Sequence, residues 1–201
     1  MKIQRSFLIV WFIVISNYCY CQKLSFSLYG GISSLFEIDN EEAVRIGNYY
    51  TKVTSFKTGI TYDIRNKDSS RFFPSVGLVI SVKGSKNNVP SGLVWYGTNK
   101  TAIAERFFSL DFPILYNYKF EKWLILKGGI NPGLIFATHN FQAITKRRTV
   151  TAELLGGVNI KIRNLRFEAE YSYGISNMLK YPTYDISYRN SAIYFGIGKY
   201  F

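Results

Sequence analysis

The sequence predicts an all-β protein, an eight-stranded antiparallel up-and-down transmembrane β-barrel. Three observations predict it: eight segments that alternate apolar and polar residues, connections that alternate long and short, and a final run, Ile193-Tyr194-Phe195-Gly196-Ile197-Gly198-Lys199-Tyr200-Phe201, that alternates and stops on an aromatic residue. A period of two puts successive side chains on opposite faces of a strand, one for lipid or core and one for water. Composition agrees, with 17% aromatic residues, 16 each of Gly, Tyr and Phe, and a mean hydropathy near zero although 19% of residues are charged. Faces of opposite character average out in this way.

Ahead of the strands, Lys2 and Arg5 precede an unbroken apolar run at 7–15. That run is too short to cross a bilayer as a helix and has the form of a signal-peptide core. Cys19-Tyr20-Cys21 places small side chains where a signal peptidase inspects, so 1–21 reads as a removed signal peptide and 22–201 as the barrel domain. Lipoprotein processing at Cys19 or Cys21 is the alternative, although each follows a Tyr where a small residue is wanted. Both cysteines lie in the leader, so the expected mature chain has neither disulfides nor thiolate chemistry. Beyond residue 22 no apolar run approaches the roughly 18 residues of a spanning helix. A soluble β-fold or a membrane barrel is left.

The first segment, 23–32, sets Leu24, Phe26 and Leu28 against Ser25, Ser27 and Tyr29. In 53–64, Phe56, Ile60, Tyr62 and Ile64 alternate with Ser55, Lys57, Gly59, Thr61 and Asp63; in 72–83, Val76, Leu78, Ile80 and Val82 alternate with Ser75, Gly77, Ser81 and Lys83. The fourth, 107–120, is very regular, with Phe108, Leu110, Phe112, Ile114, Tyr116, Tyr118 and Phe120 against Ser109, Asp111, Pro113, Asn117 and Lys119. The fifth, 123–136, opposes Leu124, Leu126, Ile130, Leu134 and Phe136 to Lys127, Gly129, Asn131 and Gly133, and Pro132 is expected to mark a bulge or bend. The sixth, 150–162, opposes Val150, Leu154, Val158 and Ile160 to Thr151, Glu153, Asn159 and Lys161. The seventh, 165–173, opposes Phe167, Ala169 and Tyr171 to Arg166, Glu168, Glu170 and Ser172; the eighth shows Ile193, Phe195, Ile197 and Phe201 on its apolar face.

Between these segments lie about 20 residues, a short turn at 65–71, over 20 residues at 84–106, Glu121-Lys122, about a dozen at 137–149, Arg163-Asn164, and some 16 at 175–190. Long loops at one rim and tight turns at the other suit an outer-membrane barrel with both termini in the periplasm. A soluble lipocalin-like carrier would share the eight strands but turn its apolar alternates inward. Against it stand the loop lengths, the terminal Phe201 and aromatic residues near strand ends, such as Tyr62, Phe72, Tyr118, Phe120, Trp123, Phe136 and Tyr173, which suit interfacial girdles.

The stretch Ser109-Leu110-Asp111-Phe112-Pro113-Ile114-Leu115-Tyr116-Asn117-Tyr118, followed by Lys127-Gly128-Gly129-Ile130-Asn131-Pro132-Gly133, resembles the outer membrane protein beta-barrel family of Bacteroidota, the PorT-like proteins. Gly77-Leu78, Lys83-Gly84, Gly156-Gly157-Val158 and Glu170-Tyr171-Ser172-Tyr173-Gly174-Ile175 continue the resemblance over the expected mature chain. It implies an outer-membrane location and, by analogy with the family's named member, a secretion-accessory role. Gly196 and Phe201 match an assembly signal read by the barrel assembly machinery, from which Lys199 departs.

Candidate chemistry is sparse. His139 is the sole histidine, and the position two beyond it is Phe141 rather than the Ser that an outer-membrane lipid deacylase would need. One histidine and no mature cysteine leave no zinc spacing, and Glu37, Asp39, Glu41 and Glu42 lack the regular spacing of a calcium loop. No catalytic residue, metal or cofactor is expected. Charge on the inward register, at Lys57, Asp63, Lys83, Asp111, Lys119, Lys127, Glu153, Lys161, Arg166, Glu168 and Glu170, is expected to pair across a bore that side chains fill, with Glu153 and Arg166 as partners.

The formal net charge of +12, +10 without Lys2 and Arg5, points to anionic envelope components such as lipopolysaccharide. No motif supports nucleic acid. Trp95 and Tyr96 in the second long loop are candidates for a protein or carbohydrate contact, and Lys146-Arg147-Arg148 for a solvated rim. Three classes remain: a non-enzymatic outer-membrane barrel acting through its loops or rims, whether structural, adhesive or secretion-accessory; an outer-membrane lipid-modifying enzyme; and a soluble periplasmic carrier.

Overall fold

The computed structural model describes residues 23–38, 49–65, 70–88, 103–139, 146–147, 149–181 and 186–201. The expected signal peptide and the pair Trp95-Tyr96 lie outside them, as do Asp39, Glu41 and Glu42. Strands run in the order β1 (Lys23–Ile38), β2 (Tyr49–Thr51), β3 (Val53–Asp63), β4 (Phe72–Asn88), β5 (Ile103–Asp111), β6 (Ile114–Lys119), β7 (Leu124–His139), β8 (Lys146–Arg147), β9 (Val150–Ile162), β10 (Leu165–Gly174), β11 (Leu179–Tyr181) and β12 (Ile186–Tyr200).

Eight of these positions form the wall: β1, β3, β4, β5 continued by β6, β7, β9, β10 and β12, each antiparallel to the next. The ring closes where β1 pairs with β12 from Ser25 opposite Tyr200 to Ile38 opposite Ser187. Phe201 extends the seam by donating its N–H to the Leu24 carbonyl at 2.9 Å. The architecture is thus the closed eight-stranded antiparallel barrel that the alternation predicts.

Period-two patterning decides which face is which. Outward positions are apolar and open, with Phe72 70% and Phe195 66% exposed, and Leu28, Phe56, Ile80, Ile130, Leu154 and Phe167 exposed between them. Inward positions carry the charge, and Lys57, Asp111, Lys127, Glu153, Glu168 and Glu170 are all buried. Rings mark both margins of the apolar surface: Phe72 lies 4.6 Å from Tyr118 at the short-turn end, and Phe36 stacks on Tyr173 at 5.1 Å at the other. From Phe108 to Tyr118 along the fourth wall position, roughly ten residues at about 3.3 Å each and a tilt of roughly 40° give about 25 Å, the height of a bilayer-spanning band.

Three details differ from the sequence reading. Pairing continues past the apolar band, so that β1 reaches Ile38, β4 reaches Asn88 and β12 begins at Ile186, inside the expected loops. Backbone pairing needs no apolar alternation once the chain has left the band. Pro132 itself pairs in register opposite Ala152, and the bulge in β7 comes instead at Phe136, skipped where the ladder with β5 steps from Phe108–Ala137 to Ser109–Ile135. The break falls on the facing chain at Phe112-Pro113, between β5 and β6. Pro132 accepts the Phe112 N–H at 2.8 Å and Pro113 accepts the Gly77 N–H at 3.0 Å, but neither proline has an N–H to return, so the ladders lapse on both sides there. The third difference lies in the lumen, where Glu153 pairs with Lys83.

Tyr29 faces Gly196 across the closing seam, and its ring lies where a Cβ on Gly196 would be. Gly196 therefore has a packing role beside its expected place in an assembly signal. Gly196→Val should destabilise the barrel by about 1–3 kcal/mol, the usual range for overpacking. A lower urea midpoint in detergent would show it, whereas Gly156→Val, at a position with no heavy atom within 4 Å, should leave the midpoint unchanged.

Candidate functional site in the barrel lumen

Eight strands enclose a bore narrow enough for side chains to fill, and here the inward polar side chains meet in stacked layers. At the short-turn end Arg65 donates to Asp63 at 2.7 Å, with its guanidinium 3.8 Å from the Phe73 ring centre. Arg65 lies in the expected turn and escaped the sequence reading. Continuing the alternation two residues beyond Asp63 would have found it.

Above this pair, Arg166 donates from Nε to Glu168 at 2.8 Å, from Nη2 to Ser27 at 2.7 Å and from Nη1 to the Tyr200 hydroxyl at 3.3 Å. Lys127 bridges Glu168 and Glu170, 2.7 Å from each. Glu168 and Glu170 project the same way because they are two apart on β10. Lys127 reaches them across β9 because its neighbour there is Gly157, and a Cβ at that glycine would come 3.1 Å from Lys127 Cε. Lys57 completes the chain as the second partner of Glu170, with Nζ 4.3 Å from the Tyr29 ring centre and 4.6 Å from that of Tyr194.

The next layer gathers on Lys83, which donates to Asp111 and to both oxygens of Glu153, each at 2.9 Å. Asn131 and Asn190 flank Glu153 and donate to it at 3.2 and 3.3 Å, while Ser81 donates to Asp111 at 2.8 Å. Glu153 thus pairs with Lys83 and not with Arg166. The two-residue turn sets Arg166 opposite Lys161 and Glu153 opposite Gly174, eight residues or about 26 Å apart along the strands. Lys161 lies half-buried at the short-turn mouth, 5.3 Å from the Tyr200 ring centre, and Lys119 is also only partly covered.

Buried charge nearly cancels: Lys57, Arg65, Lys83, Lys127 and Arg166 oppose Asp63, Glu105, Asp111, Glu153, Glu168 and Glu170. Glu105, in the expected second loop, sits on β5 facing the lumen, and its Oε2 has no hydrogen-bond partner. The residual cavity among these groups measures about 30 Å³ and is lined by Tyr29, Lys57, Lys83, Lys127, Glu153 and Glu168. That is room for a water or two.

Among the described residues no cluster of His, Cys, Asp and Glu could hold a metal. His139 stands exposed at the end of β7 opposite Arg106, far from the layers above. Nothing nucleophilic is paired with it among the described residues.

No family model matches the chain, and no curated protein matches it in sequence. Among solved structures it is similar to the outer membrane protein OprG from Pseudomonas aeruginosa, at 13% identity and a TM-score of 0.50 over 88% of this chain and 95% of that one. The fold is that of the outer-membrane barrels. Ail, the attachment invasion locus protein of Yersinia pestis, is matched at 15% identity and a TM-score of 0.45, over 89% of this chain and 98% of that one. Neisserial surface protein A is matched at 11% and 0.46, over 88% and 97%.

Removing one member of a buried ion pair leaves its partner charged and dry, at a cost of about 3–5 kcal/mol. Lys127→Met strands one contact of Glu168 and one of Glu170 and should destabilise the barrel by about 3 kcal/mol. Adding Glu168→Gln and Glu170→Gln to it should recover part of that loss, measured by urea unfolding in detergent or lipid.

Proposed function

We propose that the protein is a non-enzymatic outer-membrane barrel, plugged by its own side chains, that acts through its extracellular loops or rim. Its role is structural, adhesive or secretion-accessory, in the manner of a PorT-like protein. The observation that carries this reading is the inverted polarity of the wall, apolar outside and charged inside. A soluble carrier would turn its charge to water and its apolar face to a ligand.

The nearly balanced lumen supports a plug over a pore, because each buried cation is held by carboxylates from other strands or from its own neighbour, and the residual cavity of about 30 Å³ holds only a water or two. The partners that follow are outer-membrane lipid, the barrel assembly machinery that would engage the β12 end with Gly196 and Phe201, and an envelope or secretion protein at the long-loop rim. A lipid-modifying enzyme would need an activated nucleophile beside His139, and the resemblance of Ser109 to Tyr118 to PorT-like strands offers no such group.

Fractionation should place the protein in the detergent-soluble membrane fraction, with unheated samples migrating faster on a denaturing gel than boiled ones. Recovery in the soluble fraction would overturn the reading. In planar bilayers the purified barrel should show no steady conductance; a stable open level would refute the plug while leaving the barrel intact.

A further inference from the structure

The excess positive charge of this chain has a location. Among the described side chains every carboxylate but Glu121 faces the lumen, where five buried cations oppose six carboxylates, so the surplus cations lie on the outer surface and at the rims. Glu121 belongs to the short-turn end. At the long-loop end Lys52, Lys86, Arg106 and His139 form a row across four adjacent wall positions. Lys86 neighbours Thr51 on β2 and Ala104 on β5, and Arg106 sits opposite Gly84 on one side and His139 on the other.

All four point outward. Val53, Ser85, Glu105 and Phe107 next to them in sequence are buried inside, and His139 shares the face of Arg106 by direct pairing. Lys52, Lys86 and His139 are exposed and Arg106 is half-exposed. Lys86 and Arg106 are diagonal neighbours, roughly 7–8 Å apart at Cα. Immediately below the row lies the upper aromatic margin, where Phe108 and Phe136 approach to 6.5 Å.

We infer that this row is a docking surface for lipopolysaccharide, with Lys52, Lys86 and Arg106 binding the phosphates of lipid A and the Phe108–Phe136 margin contacting its acyl chains. The inference rests on the outer-membrane reading above, which places the long-loop end in the outer leaflet. A cation row one step beyond an apolar band, with no outward carboxylate beside it among the described side chains, matches a lipid whose phosphates sit at the headgroup boundary. Each lysine or arginine near such a surface contributes about fivefold in affinity, and salt screens it.

The test uses the full protein refolded in detergent and titrated with fluorescent bis-phosphoryl lipid A or its phosphatase-treated form. The triple variant Lys52→Gln, Lys86→Gln, Arg106→Gln should bind the phosphorylated lipid about a hundredfold more weakly, at the same per-residue factor. Its binding of the dephosphorylated lipid should be unchanged, as should lipid A binding by the opposite-rim variant Lys122→Gln, Lys199→Gln. An unaffected triple variant, or equal loss with both lipids, would overturn the assignment. Heat-modifiable migration of the triple variant shows that its barrel is intact, and if it fails to fold, Lys86→Gln alone serves, with about a fivefold loss expected. A wild-type chain that forms no barrel would instead sink the outer-membrane reading.

Discussion

Closure of β1 onto β12 is the constraint on which the rest of the structure depends. An open sheet with this apolar surface would expose two rows of backbone donors and acceptors that lipid cannot satisfy. Closing the ring along a ladder from Ser25 opposite Tyr200 to Ile38 opposite Ser187 removes both edges. Closure with eight strands also limits the bore, and a narrow bore forces inward side chains from opposite walls into contact. Tyr29 resting on Gly196 shows how tight that contact is at the seam itself.

The charge network follows from that confinement. A lysine buried alone would be costly, and none here is alone: Lys83 is shared by Asp111 and Glu153, and Lys127 by Glu168 and Glu170. The carboxylates are in turn held by Ser27, Ser81, Asn131 and Asn190, so that each layer ties several strands together. Such an interior specifies register as well as stability, since slipping one strand by one residue would send its charges to the lipid face. The same segregation explains the basic surface. With nearly every described carboxylate committed to the lumen, the outer surface and rims hold the surplus of lysine and arginine.

How legible the barrel was depends on which face a residue occupies. Phe108 to Phe120 and Leu165 to Tyr173 alternate so regularly that strand, face and inward charge could all be read from them. The strand extensions beyond the apolar band were not legible, because residues such as 33–38 and 187–192 carry no alternation of apolar residues toward lipid. Arg65 and Glu105 were hidden for the same reason, lying outside segments that the apolar alternation could delimit. Pro132 was legible as a disturbance but not as to place, since the missing N–H is felt on the strand opposite.

By itself the sequence determined the number of wall strands and which residues share a face within each alternating segment, because a period of two and the lengths of the connections are local properties of the chain. Only the tertiary structure decided who pairs with whom inside. Glu153 meets Lys83 from across the lumen, not Arg166 from the adjoining strand, and Lys127 reaches Glu170 over the gap left by Gly157. Those partnerships depend on the register of β9 with β7 and β10 and on the narrowness of the closed ring, and neither exists until the eighth strand has met the first.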